Sequence, residues 1–244
     1  MIDAASCNLQ VAPDCPSACQ EAALYLVRYV AETVSRNGRC HLAVSGGTTP
    51  WPMFAAFFRE ELPWPRIDLF QTDERMVPDD SPERNASHLI PLLPSGIRFH
   101  PMPYDPDSLI RKQVSVYARE LEACCGSPPV LDLIHLGLGQ DGHTASLVPG
   151  DPVLDIRDQS VALTRPYHGQ RRMTLTVRTL QAARTRLWLA CGTGKQQALA
   201  RCLKRDSAIP ASRVYQPSDP FWCDPPAAGS GVSTESGGGL ALHP

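Results

Sequence analysis

Leu131-Asp132-Leu133-Ile134-His135-Leu136-Gly137-Leu138-Gly139-Gln140-Asp141-Gly142-His143-Thr144-Ala145-Ser146-Leu147 is an apolar run that ends in a glycine-rich turn carrying a carboxylate and an imidazole. The apolar part, Val130 to Leu138, has too many hydrophobic positions to leave one face wet. It therefore predicts a central parallel strand covered on both sides. His135 sits inside this run and is assigned to packing. In open sheets of this kind, ligands bind beyond the carboxyl ends of the strands, so the turn after the run is where chemistry is expected. Its glycines allow a bend that exposes Asp141 and His143 at the sheet edge, and a neutral imidazole there is a candidate general base.

Working outward, short β-rich runs alternate with longer amphipathic stretches. Strands are expected near His41 to Ser45, Ile67 to Thr72, Ser160 to Thr164, Met173 to Thr176 and Leu187 to Cys191. A helix is expected from about Pro16 to Arg36, stopped by Asn37-Gly38, with Leu24, Val27, Ala31 and Val34 as its core stripe. Others are expected around Pro52 to Phe58 and from about Asp107 to Cys125, the latter with Ile110, Val114, Tyr117 and Leu121 on one face. The alternation predicts an α/β protein: a doubly wound, mostly parallel, Rossmann-like sheet with helices on both faces. Residues 1–226 are read as one domain. Residues 227–244 (AAGSGVSTESGGGLALHP) are rich in Gly and Ser and nearly uncharged, and are expected to be a disordered tail.

Two further loops follow predicted strands. Ser45-Gly46-Gly47-Thr48-Thr49-Pro50 can bring backbone N–H groups and a helix N-terminus to an anion, although a plain tight turn with a threonine cap explains it equally well. Thr72-Asp73-Glu74-Arg75 is a dense charge cluster; Arg75 suits phosphate or carboxylate, and Asp73 suits sugar hydroxyls. Lys195 lies in Gly192-Thr193-Gly194-Lys195, which is not a nucleotide P-loop because the motif's earlier glycine and its hydroxyl residue fall on Leu189 and Gln196. On local grounds Arg172 and Lys195 are as readily solvated surface charges.

The bulk numbers narrow the partners. The 244 residues carry 23 Lys and Arg against 25 Asp and Glu, a formal charge of −2, so nothing draws the chain to nucleic acid or an anionic membrane. No apolar run is long enough to span a bilayer, and the N-terminus shows no secretory signal. The expectation is a cytoplasmic protein with small-molecule partners, monomeric or weakly homodimeric. The nine cysteines form no CxxC pair, so they are read as mostly buried thiols, with no metal site.

Taken together, these segments resemble the 6-phosphogluconolactonases of the wider glucosamine-6-phosphate isomerase/deaminase superfamily, whose fold is NagB-like. The matching residues are SGGTTP from Ser45, TDERMVP from Thr72, LDLIHLGLGQDGHTASLVPG from Leu131, RMTLT from Arg172 and GTGK from Gly192, in order and spacing over roughly residues 15 to 226. The resemblance implies hydrolysis of 6-phospho-D-glucono-1,5-lactone by water, the second step of the oxidative pentose phosphate pathway, with no metal or organic cofactor. It implies that Gly46, Gly47 and Thr48, with Asp73, Arg75, Arg172 and Lys195, surround the phosphate and sugar. It places His143 at the lactone carbonyl, with Asp141 orienting the imidazole or the sugar. Two alternatives stand beside this. An amino-sugar phosphate deaminase resembles DGHIAFNEP at the corresponding turn, with a carboxylate where this chain has Val148, and its acidic loop tends to read DEY. A non-catalytic sugar-phosphate-binding module would lack the His143 turn. Of the family's closing W-x-x-D-x-x-A-A pattern the chain keeps the Trp, the Asp and the alanines in Trp222, Asp224, Ala227 and Ala228, but Pro225-Pro226 occupy the middle, which predicts a short last helix.

Overall fold

The computed structural model describes residues 7–229. In chain order the elements are β1 (Leu9–Val11), α1 (Cys15–Asn37), β2 (Cys40–Val44), α2 (Pro50–Phe57), β3 (Ile67–Gln71), β4 (Asp73–Arg75), α3 (Asn85–Leu89), β5 (Arg98–His100), α4 (Ile110–Cys125), β6 (Leu133–Gly137), β7 (Val161–Leu163), β8 (Arg172–Leu175), α5 (Val177–Ala182), β9 (Thr185–Ala190), α6 (Gln196–Leu203), α7 (Pro210–Val214), β10 (Phe221–Cys223) and α8 (Pro225–Ala228). Seven strands form one sheet in the order β1-β10-β9-β6-β2-β3-β5, and every pairing in it is parallel.

The apolar run of the central strand behaves as its composition demands. Along β6, Ile134 and Leu136 join the core on one side, with Val114, Tyr117 and Leu121 of α4, while Leu133 joins the core on the other, with Leu26, Val30, Met53 and Phe54 of α1 and α2. β9 alternates in the same way, with Trp188 and Ala190 on the first side and Leu187 and Leu189 on the second. Because side chains alternate with period two, a sheet covered on both faces needs apolar residues at every position, which these strands supply.

Three expectations are corrected. The runs at Ser160 to Thr164 and Met173 to Thr176 are strands, but they lie outside the parallel sheet. They form β7 and β8 of a separate antiparallel sheet whose third member is β4, in the order β4-β8-β7. The charged stretch Asp73–Arg75, expected as a loop, is therefore itself a strand. In α1 the predicted stripe is misplaced: Leu24 is 47% exposed, Ala31 is exposed, and Val27 and Val34 are only half-buried. The buried face is built from Ala18, Cys19, Ala22, Leu26, Val30 and Thr33. Small residues let α1 approach the sheet and α2 closely, and that packing outranks the larger apolar area of Leu24. The ends of α1 follow the expected chemistry, since Asp14 accepts from Ser17 N at 2.8 Å and Gly38 closes the helix at φ 76°.

At the other end of the chain, Asp224 caps the four-residue α8, the short final helix that the two prolines predict. Ala227 is fully buried in it, so the expected tail does not begin at residue 227; residues 230–244 of that expectation lie outside the described residues. Of the nine cysteines, Cys19, Cys40, Cys202 and Cys223 are buried and the other five are half-buried, fewer buried than expected. Among the described residues no helix is long and apolar enough to cross a membrane.

His135 is fully buried on β6, edge-on to Phe54 at 5.0 Å and near the Ser45 backbone, and among the described residues neither ring nitrogen makes a hydrogen bond of good geometry. Burial pushes its pKa down from 6.5 to about 3. The unfolded chain therefore binds a proton that the native state refuses, and stability falls as pH drops below 6.5. Against a His135→Leu variant, acid-side urea titrations are expected to show the parent losing about 1.4 kcal/mol more per pH unit between about pH 6 and 4.

Candidate active site

β2 and β6 are neighbours, but the chain leaves them in opposite directions, β2 toward β3 and β5, and β6 toward β9, β10 and β1. The crevice of a doubly wound sheet opens at such a reversal. The cleft found there is lined by Ser45 to Pro50 after β2, by Gly137, Leu138, Gly139, His143 and Ala145 after β6, by Leu189, Ala190 and Lys195 after β9, and by Asp73, Arg75, Asn85 and Arg172. Of the residues singled out in the sequence, Gly46, Gly47, Thr48, Asp73, Arg75, His143, Arg172 and Lys195 all line it, and Asp141 stands directly behind His143.

The turn that carries His143 is pinned from several sides. Gly139 N donates to His143 O at 2.8 Å, Gly142 N to Gly139 O at 3.0 Å, and Ala211 N to Gly142 O at 2.9 Å. Thr144 Oγ1 donates to Gly137 O at 2.8 Å. Gly139 is required by close approach, because a Cβ there would lie 2.1 Å from His143 Nδ1. His143 Nδ1 is 2.6 Å from Asp141 Oδ1, and Tyr167 donates to Asp141 Oδ2 at 3.2 Å. The hydrogen bond from His143 holds the Asp141 carboxyl well below the usual carboxylate range. An ionised carboxylate can only accept, so Nδ1 carries a proton, and in the neutral ring the lone pair is then on Nε2. Nε2 has no protein partner among the described residues, and the side chain is 28% exposed into the cleft.

Opposite the imidazole, the small antiparallel sheet sets the charges. Asp73 and Arg75 are two residues apart on β4 and share a face, and Arg75 is the direct cross-strand partner of Arg172. Like charges placed so are mutually repulsive. Among the described residues neither arginine has a carboxylate partner. Arg75 donates to Glu83 O at 2.6 Å and Asn85 Oδ1 at 3.0 Å, while Arg172 lies over the Tyr167 ring at 5.0 Å with Nε buried and unpartnered. The Lys195 ammonium, on the turn after β9, has no ion pair or hydrogen bond among the described residues, and Asp141 is the carboxylate that attracts it. Desolvation lowers the pKa of both Arg172 and Lys195. Asp73 and Glu74 attract Arg172, and Asp141 attracts Lys195, but among the described residues no carboxylate forms an ion pair with Arg75, Arg172 or Lys195, which leaves three cations at one cleft open to an anion.

The double-glycine loop has two separate reasons for its glycines. Gly47 adopts φ 135°, whereas a Cβ on Gly46 would fall 2.0 Å from Asn85 Oδ1. Asp73 is not free to serve a ligand alone, since Oδ2 accepts from Ser146 at 2.6 Å and Oδ1 from Thr72 at 3.0 Å. Sequence reading passed over four residues that fix the site. Buried Glu74 accepts from Gln71 Nε2 and from the backbone of Arg75, Asn85 and Ala86. Asn85 spans Arg75, Gly46 and Asp73, Ser146 ties the His143 turn to Asp73, and Tyr167 links Asp141 to Arg172. Ser146 stood inside a quoted motif, but nothing in the pattern around Asn85 or Tyr167 distinguishes them.

An imidazole and an anion receptor sharing the switch-point cleft of a doubly wound sheet define an α/β protein of the kind that handles small phosphorylated metabolites. Residues 13–222 match the profile of the glucosamine-6-phosphate isomerases/6-phosphogluconolactonase family, and the chain belongs to that family. It is 32% identical over 215 residues to a 6-phosphogluconolactonase of Synechocystis, covering 83% of this chain and 89% of that one. It is 34% identical over 219 residues to the 6-phosphogluconolactonase of Rattus norvegicus, covering 80% and 83%. The crystal structure of 6-phosphogluconolactonase from Thermotoga maritima superposes with a TM-score of 0.78 at 28% identity, over 88% of this chain and 98% of that one.

Nitrogen-15 NMR of the imidazoles is expected to find the His143 proton on Nδ1. In Gly139→Ala, where the new methyl occupies the place of the ring, that preference is expected to disappear; an unchanged spectrum would mean that Asp141 does not set the tautomer.

Proposed function

We propose that the chain hydrolyses 6-phospho-D-glucono-1,5-lactone to 6-phospho-D-gluconate, with His143 as general base. The observation that carries this reading is the presence in one cleft of a carboxylate-oriented imidazole and three cations that form no ion pair among the described residues. The phosphate satisfies Arg75, Arg172 and Lys195, assisted by the backbone amides of Gly46 to Thr49, and the ring end extends toward His143.

His143 Nε2 removes a proton from water as the oxygen attacks the lactone carbonyl carbon. Collapse of the tetrahedral intermediate breaks the bond to the ring oxygen, which takes the proton from the imidazolium. Asp141 stabilises the imidazolium and keeps the ring in the accepting tautomer, and Tyr167 holds Asp141. Such proton transfer contributes about 10²- to 10⁴-fold. The cationic contacts contribute roughly 1.5 to 3 kcal/mol each, and they fix the ester at the base. For the deaminase alternative, the position that would hold a ring-opening carboxylate is Val148, which is buried and apolar.

His143→Ala is expected to lower kcat by about 10²- to 10⁴-fold with little change in Tm, because the ring packs in a half-open turn. Arg172→Ala or Lys195→Ala is expected to raise KM for the phosphorylated lactone by about 10- to 100-fold, while leaving hydrolysis of glucono-1,5-lactone unchanged. Equal losses on both substrates would remove these residues from the phosphate site. A coupled assay comparing lactone hydrolysis with ammonia release from glucosamine 6-phosphate is expected to show only the former; the opposite result would select the deaminase.

A further inference from the structure

Behind the floor of the cleft, three cysteines far apart in sequence converge. Cys15 and Cys19 are one turn apart at the start of α1, and Cys191 directly follows β9. The Cys19 thiol donates to Thr49 O at 3.4 Å and lies beside those of Cys191 and Cys15. The sulfur atoms of Cys15 and Cys191 and a carboxylate oxygen of Asp224 all lie within 4.8 Å of one another. Asp224 is 5% exposed and held rigidly: Oδ1 accepts from Gly192 N at 2.9 Å and from Ala227 N at 3.0 Å. Backbone donors that fix a carboxylate in this way are the kind of support a metal-ligating oxygen receives.

We propose that Cys15, Cys19, Cys191 and Asp224 form a structural site for a thiophilic divalent cation of the zinc class. Three sulfurs and one oxygen are a complete tetrahedral donor set. With zinc–sulfur bonds of about 2.3 Å, donors in a tetrahedron stand about 3.8 Å apart, so Cys15, Cys191 and Asp224, already within 4.8 Å of one another, need only small rotations, and Cys19 turns from Thr49 O to complete the set. A disulfide would use two of the thiols and give the third, and the aspartate, no part. Absence of a CxxC pair is no obstacle, because the helix supplies two ligands at a spacing of four and the sheet supplies the others. The ion would clamp the start of α1 to the ends of β9 and β10. Binding would exchange the Cys19 S–H bond to Thr49 O for a sulfur–metal bond, and through Cys191 it would brace the turn leading to Lys195. With all four positions filled by protein it takes no part in the reaction.

The other group of possible ligands, Asp68, His100 and Cys124, does not offer a comparable site. Asp68 is already engaged by Arg39, Arg98 and His100.

The test is anaerobic titration of the reduced, chelator-treated full chain with cobalt(II). One equivalent is expected to produce a thiolate-to-cobalt charge-transfer band in the near ultraviolet with tetrahedral bands in the visible, abolished by one equivalent of zinc. Cys191→Ser and Cys15→Ser are expected to lose the band, and Cys124→Ser to keep it. In the unaltered chain, zinc is expected to protect Cys15 and Cys191 from iodoacetamide, read by peptide mapping, and to raise Tm. No band with the unaltered chain, a band that survives in Cys191→Ser, or alkylation of Cys15 and Cys191 unaffected by zinc would each overturn the proposal.

Discussion

Val44 stands beside His135 in the parallel register that joins β2 to β6, and the placement of the cleft follows from that pairing. Because the chain departs from these two strands in opposite directions, their carboxyl ends cannot be covered by a single crossover, and the loops that leave them part to form a crevice. One of these loops is the double-glycine turn and the other carries His143. The pairing is held by apolar side chains on both faces of the sheet, so the reacting groups rest on the most rigid part of the molecule.

The second sheet is small, yet it decides the electrostatics. Three-residue β4 and four-residue β8 bring Arg75 opposite Arg172, an arrangement that a structure selected only for stability would avoid. The repulsion is tolerated because the neighbouring backbone and side chains are already committed: Glu74 anchors the start of α3, Asn85 holds Arg75, and Tyr167 lies under Arg172. An anionic ligand between the two arginines would relieve the repulsion. Tyr167 touches both ends through Asp141 and Arg172, and so ties the orientation of the base to the position of the cation.

The long apolar run of β6, the Gly38 stop of α1 and the glycine-rich turn were legible from residues 130–147 and 37–38, because strand burial, helix termination and tight turns are local consequences of residue type. The same local reasoning named His143, Asp141 and the Gly46 to Thr48 loop. It misplaced the buried stripe of α1, since which face of a helix is buried depends on how closely its neighbours approach. It also treated Asp73–Arg75 as a loop, since a three-residue strand carries no periodicity of its own and exists only because β8 pairs with it.

By itself, the sequence determined the doubly wound sheet, its carboxyl-edge turns and the residue types available for chemistry, because hydrophobic periodicity and glycine geometry act over a few residues. Only the tertiary structure decided that Arg75 faces Arg172, that Asn85 and Tyr167 belong to the site, and that Cys15, Cys19, Cys191 and Asp224 meet. Those are contacts between segments up to two hundred residues apart, and their geometry is set by how sheets and helices pack rather than by any neighbour in the chain.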